Sequence, residues 1–381
     1  MKVALVCEDV HKRGGTERVV YELATRLSLR HDVHVYAAEV EDLDAYRITW
    51  HRVPVPDLPT LAQVPLFAAL STIMIRREAF DAVIGQGINT LYADYMVVHT
   101  VNAARREIFH RLVRNGVRFG FARRVGEEVW YEFACSVEKR LLRRKSLSVV
   151  GVSSGVAREV LNYYPDIKSD RLKLVCNGVD CDEFNDQDRS EAHAYLRAVL
   201  ELAPHSLLLL FVGGLWWLKG LSHVIEALRC LPNHCHLVVV GKGPEAEYTA
   251  HAEAAGVGGR VHFLGTRRDM PTIYRGADAF VLPSYYETFS LVTLEAMASG
   301  LPVFVSRFNG PSDYLRDGVN GFYVERDGRD IAAKVGLVFA DEKRRRDMGR
   351  NARATALQFS WARAAATVEG IIKEDLANGR L

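Results

Sequence analysis

Seven residues separate Glu287 from Glu295 in Ser284-Tyr-Tyr-Glu287-Thr-Phe-Ser290-Leu-Val-Thr-Leu-Glu295-Ala-Met-Ala-Ser-Gly300-Leu-Pro302. The apolar run Ala279 to Leu282 reads as a strand, and the pattern predicts a helix from near Ser290, with that serine as its N-cap. A helix that opens at a strand's carboxyl end aims unpaired backbone amides and its positive dipole end at whatever binds there, which suits a pyrophosphate. Carboxylates beside phosphates repel them unless they address hydroxyl groups. Glu287 ahead of the helix and Glu295 one to two turns inside it therefore point to a sugar attached to the diphosphate. The plain alternative is a solvated glutamate pair on a surface helix.

A second stretch, Phe211-Val-Gly213-Gly214-Leu-Trp-Trp-Leu-Lys219-Gly220, is again a strand, a glycine turn and a basic residue opening a helix. Lysine is a compact cation suited to charge accumulating on a departing diphosphate, so Lys219 is expected to stabilise the leaving group. Gly14 and Gly15 follow the first strand and let a loop approach a ligand without side chains. Arg18, one turn further on, either reaches the phosphates or forms a surface ion pair with Glu22. His99 ends an apolar strand, where a lone histidine is more often a satisfied structural residue. Arg105 and Arg106 suit a phosphorylated acceptor or a lipid headgroup, or else belong to a solvated basic face.

Short aliphatic runs must position these residues. They fall at Val3 to Cys7, Val33 to Ala37, Ala82 to Gly85, Tyr95 to His99 and Ser148 to Val152. The series restarts at Leu207 to Val212, His236 to Gly241, Val261 to Leu264, Ala279 to Leu282 and Pro302 to Val305. Near-continuous apolar strands alternating with amphipathic stretches indicate parallel sheets covered on both faces, and two such series imply two doubly wound α/β domains. At 381 residues the chain also exceeds the usual size of a single core. The expected division is residues 1–180, residues 181–360, and a C-terminal helix over 361–381 that returns toward the first domain. Open α/β sheets bind ligands beyond the carboxyl ends of their strands, so a ligand is expected in a cleft between the domains.

The Glu-x7-Glu element, in its strand-loop-helix setting and followed by Ala-Ser-Gly-Leu-Pro-Val, resembles the signature of the large retaining family of GT-B glycosyltransferases (family 4-like, group 1). Gly14-Gly15-Thr-Glu-Arg18, Asn177-Gly-Val-Asp180, Gly241-Lys-Gly-Pro-Glu245, Phe263-Leu-Gly265, Asp317-Gly-Val-Asn-Gly321 and Phe359-Ser-Trp361 fit it too. The resemblance implies a GT-B fold of two facing Rossmann-like domains with an interdomain cleft. It also implies transfer of a hexose from a nucleotide diphosphate sugar, UDP being favoured over GDP, with retention by front-face displacement. By motif position, Glu295 contacts the donor ribose and Glu287 the transferred sugar. Amides at Phe289, Ser290 and Leu291 hold the phosphates with Lys219. The turn at Gly243 lies near the base, and His99 bonds a sugar hydroxyl. Most of the family has an arginine where this chain has Gly214. Its absence marks a subgroup that includes lipopolysaccharide-core transferases.

No DxD follows a strand, so neither a metal nor a cofactor beyond the sugar nucleotide is expected. Cys230, His234, Cys235 and His236 cluster in sequence, yet they read better as a turn entering a strand than as a metal site. The six cysteines lack a disulfide framework and imply a reducing compartment. The longest apolar stretch, Leu207 to Leu218, is shorter than the roughly 20 residues that span a bilayer. Between Val101 and Lys145, however, twelve Lys and Arg face five Glu and interleave with aromatic residues. That mixture suits either an anionic inner-leaflet surface or a solvated helical face. The expected setting is cytoplasmic, at the inner face of the membrane, with a glycan or lipid-linked acceptor and no nucleic acid. Rival readings are an epimerase or phosphorylase of the same fold, a GDP-mannose-dependent mannosyltransferase, and a catalytically silent nucleotide-sugar sensor. A dinucleotide dehydrogenase is excluded by the lack of GxGxxG after either domain's first strand.

Overall fold

The computed structural model describes residues 1–117 and 119–380. The chain forms two compact units: Met1–Asn177 with Trp361–Leu381, and Gly178–Ser360. The first is built on strands β1 (Lys2–Val6), β2 (Asp32–Ala37), β3 (Ile48–Arg52), β4 (Ala82–Gln86), β5 (Tyr95–Val98), β6 (Ser148–Gly151) and β7 (Leu172–Leu174). They pair in the order β3-β2-β1-β4-β5-β6-β7, every neighbour parallel. Apart from half-buried Lys2, the inner strands β1, β4 and β5 are buried throughout, as apolar runs covered on both faces must be.

The second unit repeats the plan with β8 (Leu207–Val212), β9 (Cys235–Val240), β10 (Val261–Phe263), β11 (Ala279–Leu282), β12 (Val303–Val305) and β13 (Gly321–Tyr323). Their order is β10-β9-β8-β11-β12-β13, again all parallel. In each sheet the winding reverses beside the first strand, between β1 and β4 and between β8 and β11. Loops leaving neighbouring strands diverge there, which opens a crevice at the carboxyl edge.

Three strands of these two sheets escape the sequence pattern. β3 is an edge strand whose residues are mostly exposed, and β7 and β13 have three residues each. The helix Trp361–Ala377 belongs to the first unit, where it packs on the helix Thr16–Leu27. Its Asp375 accepts a hydrogen bond from Tyr95 Oη at 2.9 Å, and its Glu369 pairs with Arg30 at 2.8 Å.

Candidate active site

In the second unit the loops after β8 and β11 flank the reversal point and are welded together. Gly220, in left-handed conformation at φ +77°, would drive a Cβ into the Pro283 carbonyl, and the Tyr285 amide donates to the Leu218 carbonyl at 2.8 Å. Backbone packing on this scale fixes where side chains emerge. Lys219, closing the short helix Trp216–Lys219, forms an ion pair with Glu287 from the opposite loop, and both side chains are mostly buried.

The loop after β9 packs just as closely. A Cβ on Gly241 would collide with the Gly213 carbonyl, and one on Gly243 would enter the Trp216 ring. Trp216 is itself fixed: its Nε1 donates to the Gly213 carbonyl at 2.9 Å and its ring stacks on Phe263. Gly243 thus has a packing reason to be glycine. Gly214 has none: its φ is ordinary, and an added Cβ would meet only the Lys242 carbonyl at 3.6 Å, normal van der Waals contact.

The helix after Glu287 spans Leu291–Ala298, with Ser290 at its N-cap position. The serine does not cap it. At φ +72° it lies in the left-handed region, strained for a residue with a Cβ, and its hydroxyl pairs with Thr293 Oγ1 at 2.6 Å. Phe289 is held by a hydrogen bond from Tyr314 Oη to its carbonyl at 2.7 Å, while Gly310 presses on the same carbonyl. The first-turn amides therefore come from a rigid start, and such amides have no intrahelical acceptor. One turn in, Glu295 is buried and accepts a hydrogen bond from Tyr274 Oη at 2.9 Å. Nothing in the sequence singled out Tyr274, which reaches Glu295 from another helix, Met270–Gly276.

At the first unit's carboxyl edge, Gly14 adopts φ +102° and Gly15 starts the helix Thr16–Leu27. Arg18 and Glu22 form a buried ion pair at 3.5 Å rather than a surface one, and Arg26 joins it. His99 follows β5, and its Nε2 lies 2.7 Å from Oε1 of Gln86, the last residue of β4. Burial lowers the imidazole pKa to about 4, so the ring is neutral at physiological pH. The sequence pattern overlooked Gln86, although it is a polar residue ending a buried strand.

The loop from His99 runs into the helix Asn102–Arg114, whose start is tied to the helix Phe121–Leu142. Buried Glu138 accepts from the Asn102 amide at 3.1 Å, Asn102 Nδ2 at 3.0 Å and Tyr164 Oη at 2.5 Å. Burial raises its pKa to about 7. Arg106 is ion-paired with Glu132, and Arg105 lies close enough to act on the buried Tyr131 phenol. On the helix Phe121–Leu142, Phe121, Val125 and Val129 form an exposed apolar stripe one turn apart, beside exposed Arg123 and Arg124.

Among the described residues, no helix is long and apolar enough to cross a membrane. The one His/Cys/carboxylate group with metal-like spacing there is His34 and His51 of the first sheet with Glu78 from the turn before β4. It closes on itself, with His34 Nδ1 2.7 Å from His51 Nε2 and Lys2 Nζ 2.9 Å from Glu78. Cys230 is exposed while Cys235 is buried, and His236 pairs with His262 at 3.1 Å.

Comparison with known proteins reads this arrangement at family level. Residues 195–355 match the model of the glycosyl transferases group 1, and residues 13–183 match that of glycosyltransferase family 4. The chain belongs to the group 1 glycosyltransferases of the GT-B fold. Among curated relatives, the D-inositol 3-phosphate glycosyltransferase of Xylanimonas cellulosilytica is 39% identical over 211 residues, 52% of this chain and 50% of that protein. The alpha-maltose-1-phosphate synthase of Mycolicibacterium smegmatis is 29% identical over 62% of this chain and 65% of its own. The chain spans about half the length of the first curated relatives it matches. Two solved structures share the fold. That of WaaG, a glycosyltransferase involved in lipopolysaccharide biosynthesis, has a TM-score of 0.81 at 23% identity, covering 97% of this chain and 99% of its own. That of Anabaena Alr3699/HepE with UDP and glucose scores 0.77 at 19% identity, covering 98% and 100%.

Proposed function

We propose that this family member is a retaining hexosyltransferase that needs no metal and moves a hexose from a UDP-sugar to a glycan or lipid-linked acceptor. The observation that carries this reading is the carboxyl edge of the second sheet. There, a lysine, two carboxylates and a rigid helix start converge on one reversal point. In this reading the first-turn amides and Lys219 take the diphosphate, Glu295 takes the ribose, Glu287 takes the sugar, and His99 of the first unit accepts from a sugar hydroxyl.

The Lys219–Glu287 pair implies an exchange. An incoming diphosphate competes with Glu287 for the ammonium, and the released carboxylate is then an acceptor for sugar hydroxyls. As the bond to the anomeric carbon breaks, charge grows on the leaving phosphate, and a positioned cation stabilises that charge without a metal. The leaving phosphate itself assists removal of the acceptor's proton.

Support for a UDP donor comes from the HepE structure, a complex with UDP and glucose. Cell-surface glycan or lipopolysaccharide-core synthesis is the favoured setting, supported by the WaaG likeness and by Gly214 in place of an arginine. Peripheral binding at the cytoplasmic face of an anionic membrane is supported by the stripe Phe121, Val125, Val129 beside Arg123 and Arg124. Aromatic and aliphatic groups flanked by cations favour that interface, each cation by about 1 kcal/mol. Arg105 and Arg106 then face a phosphorylated or lipid-linked acceptor.

The test is nucleotide release in EDTA from UDP-glucose, UDP-galactose, UDP-N-acetylglucosamine and GDP-mannose in turn. Release from a UDP-sugar is expected; release from GDP-mannose alone makes the chain a mannosyltransferase. Tight binding without release, even with membrane extract present, identifies a silent nucleotide-sugar sensor or assembly subunit, a reading that the intact Glu287, Glu295 and Lys219 oppose.

A further inference from the structure

The winding of the first sheet reverses between β1 and β4, and Gln86 ends β4 at that point. It is only 2% exposed, yet it is a polar residue on a strand whose other members are Ala82, Val83, Ile84 and Gly85. Its Oε1 sits 2.7 Å from His99 Nε2, whereas its Nε2 has no hydrogen-bond partner among the described residues. A buried amide with one unmatched end costs about 1–3 kcal/mol, so a residue kept for packing alone would be more stable as leucine or methionine. The position bears that cost for something else.

Neutral imidazole carries one N–H and one lone pair, and the hydrogen bond at one nitrogen selects which nitrogen holds the proton. A carbonyl oxygen at 2.7 Å from Nε2 requires the proton there and leaves the lone pair on Nδ1. We propose that Gln86 is a positioning residue that fixes His99 as the Nε2–H tautomer, so that Nδ1 accepts a hydrogen bond from a hydroxyl of the transferred sugar. The part concerning the sugar rests on the transferase reading above; the tautomer does not. The Nε2–H of Gln86 remains as a buried donor at the same edge, available to a polar group of the bound molecule. Gln86 thereby aims the histidine without taking part in bond making or breaking.

The experiment is 15N NMR of histidine-labelled protein, with His99→Gln to assign the resonances. The expected spectrum shows His99 with a protonated Nε2 and an unprotonated Nδ1 in the absence of ligand; a protonated Nδ1 overturns the proposal. In folded Gln86→Met the ring should show both tautomers, and in Gln86→Glu at pH 8 it should return to the Nε2–H form, since a carboxylate oxygen also accepts. An unchanged ring in Gln86→Met overturns it equally. In turnover, Gln86→Met should raise the donor KM about tenfold, the worth of one hydrogen bond, with a smaller change in kcat. Gln86→Glu should restore KM at pH 8. Should no sugar nucleotide turn over, the transferase reading fails while the tautomer result still decides the role of Gln86.

Discussion

The two sheets carry the same winding but different chemistry at their carboxyl edges. In the second unit the reversal point holds charge: Lys219 against Glu287, with buried Glu295 on the helix that follows. In the first unit the equivalent place holds a neutral pair, Gln86 and His99, with an imidazole that stays uncharged down to about pH 4. A diphosphate calls for cations and amides. A sugar's hydroxyls call for neutral donors and acceptors of fixed direction. The contrast teaches that one fold, used twice, can divide ionic from directional recognition through the residues ending its central strands.

The largest expected effect breaks the charged half. Lys219→Ala should lower kcat for nucleotide release by roughly 100- to 1,000-fold, as removal of one preorganised charge-stabilising group does. A donor KM that rises instead, with kcat intact, assigns the lysine to uniform binding.

Glu138 offers a different kind of break, since the first unit confines its titrating carboxyl beneath the helix that follows His99. Its folded-state pKa is raised from 4.5 to about 7, so the stability that it contributes is present below about pH 4.5 and is lost as pH rises through about 7. Glu138→Gln does not titrate. Its stability relative to the parent should improve by about 3 kcal/mol at most between pH 4.5 and 8. A constant difference in denaturation midpoint across that range removes this account. His99 has the opposite sign, because protonation of the unfolded chain below its ordinary pKa of 6.5 costs the fold stability as pH falls toward 4.

Two glycines sharpen the comparison at smaller scale. Gly243→Ala forces a methyl group into Trp216 and should destabilise the second unit by about 1–3 kcal/mol. Gly214→Ala, in ordinary backbone with room for a Cβ, should stay within about 0.5 kcal/mol of the parent. Equal thermal shifts for the two would show that the loop after β9 relaxes. Tyr274→Phe removes one hydrogen bond to Glu295 and should weaken UDP binding about tenfold or less by calorimetry.

The doubly wound plan was legible in the sequence because buried parallel strands are written as aliphatic runs, whereas β3 was not. Its Ile-Thr-Trp-His-Arg lies at an edge, carries polar residues outward and lacks such a run. The glutamates and Lys219 were visible because each sits in a dense motif. Two supporting residues were not: Tyr274 reaches Glu295 and Gln86 reaches His99 from separate elements, and both acquire meaning only through adjacency. Ser290 shows a limit of another kind. Its type and place suggested a cap, but the helix start uses its left-handed backbone and gives its hydroxyl to Thr293.

The membership of the helix Trp361–Ala377 in the first unit sets an order of assembly. The second unit is one continuous stretch, Gly178–Ser360, so a ribosome delivers all of it before the first unit has its last helix. Until then Tyr95 lacks Asp375 and the helix Thr16–Leu27 lacks its neighbour. The N-terminal half of the chain, made first, is therefore completed last, and a messenger that ends early leaves a complete second unit joined to a first unit without its closing helix.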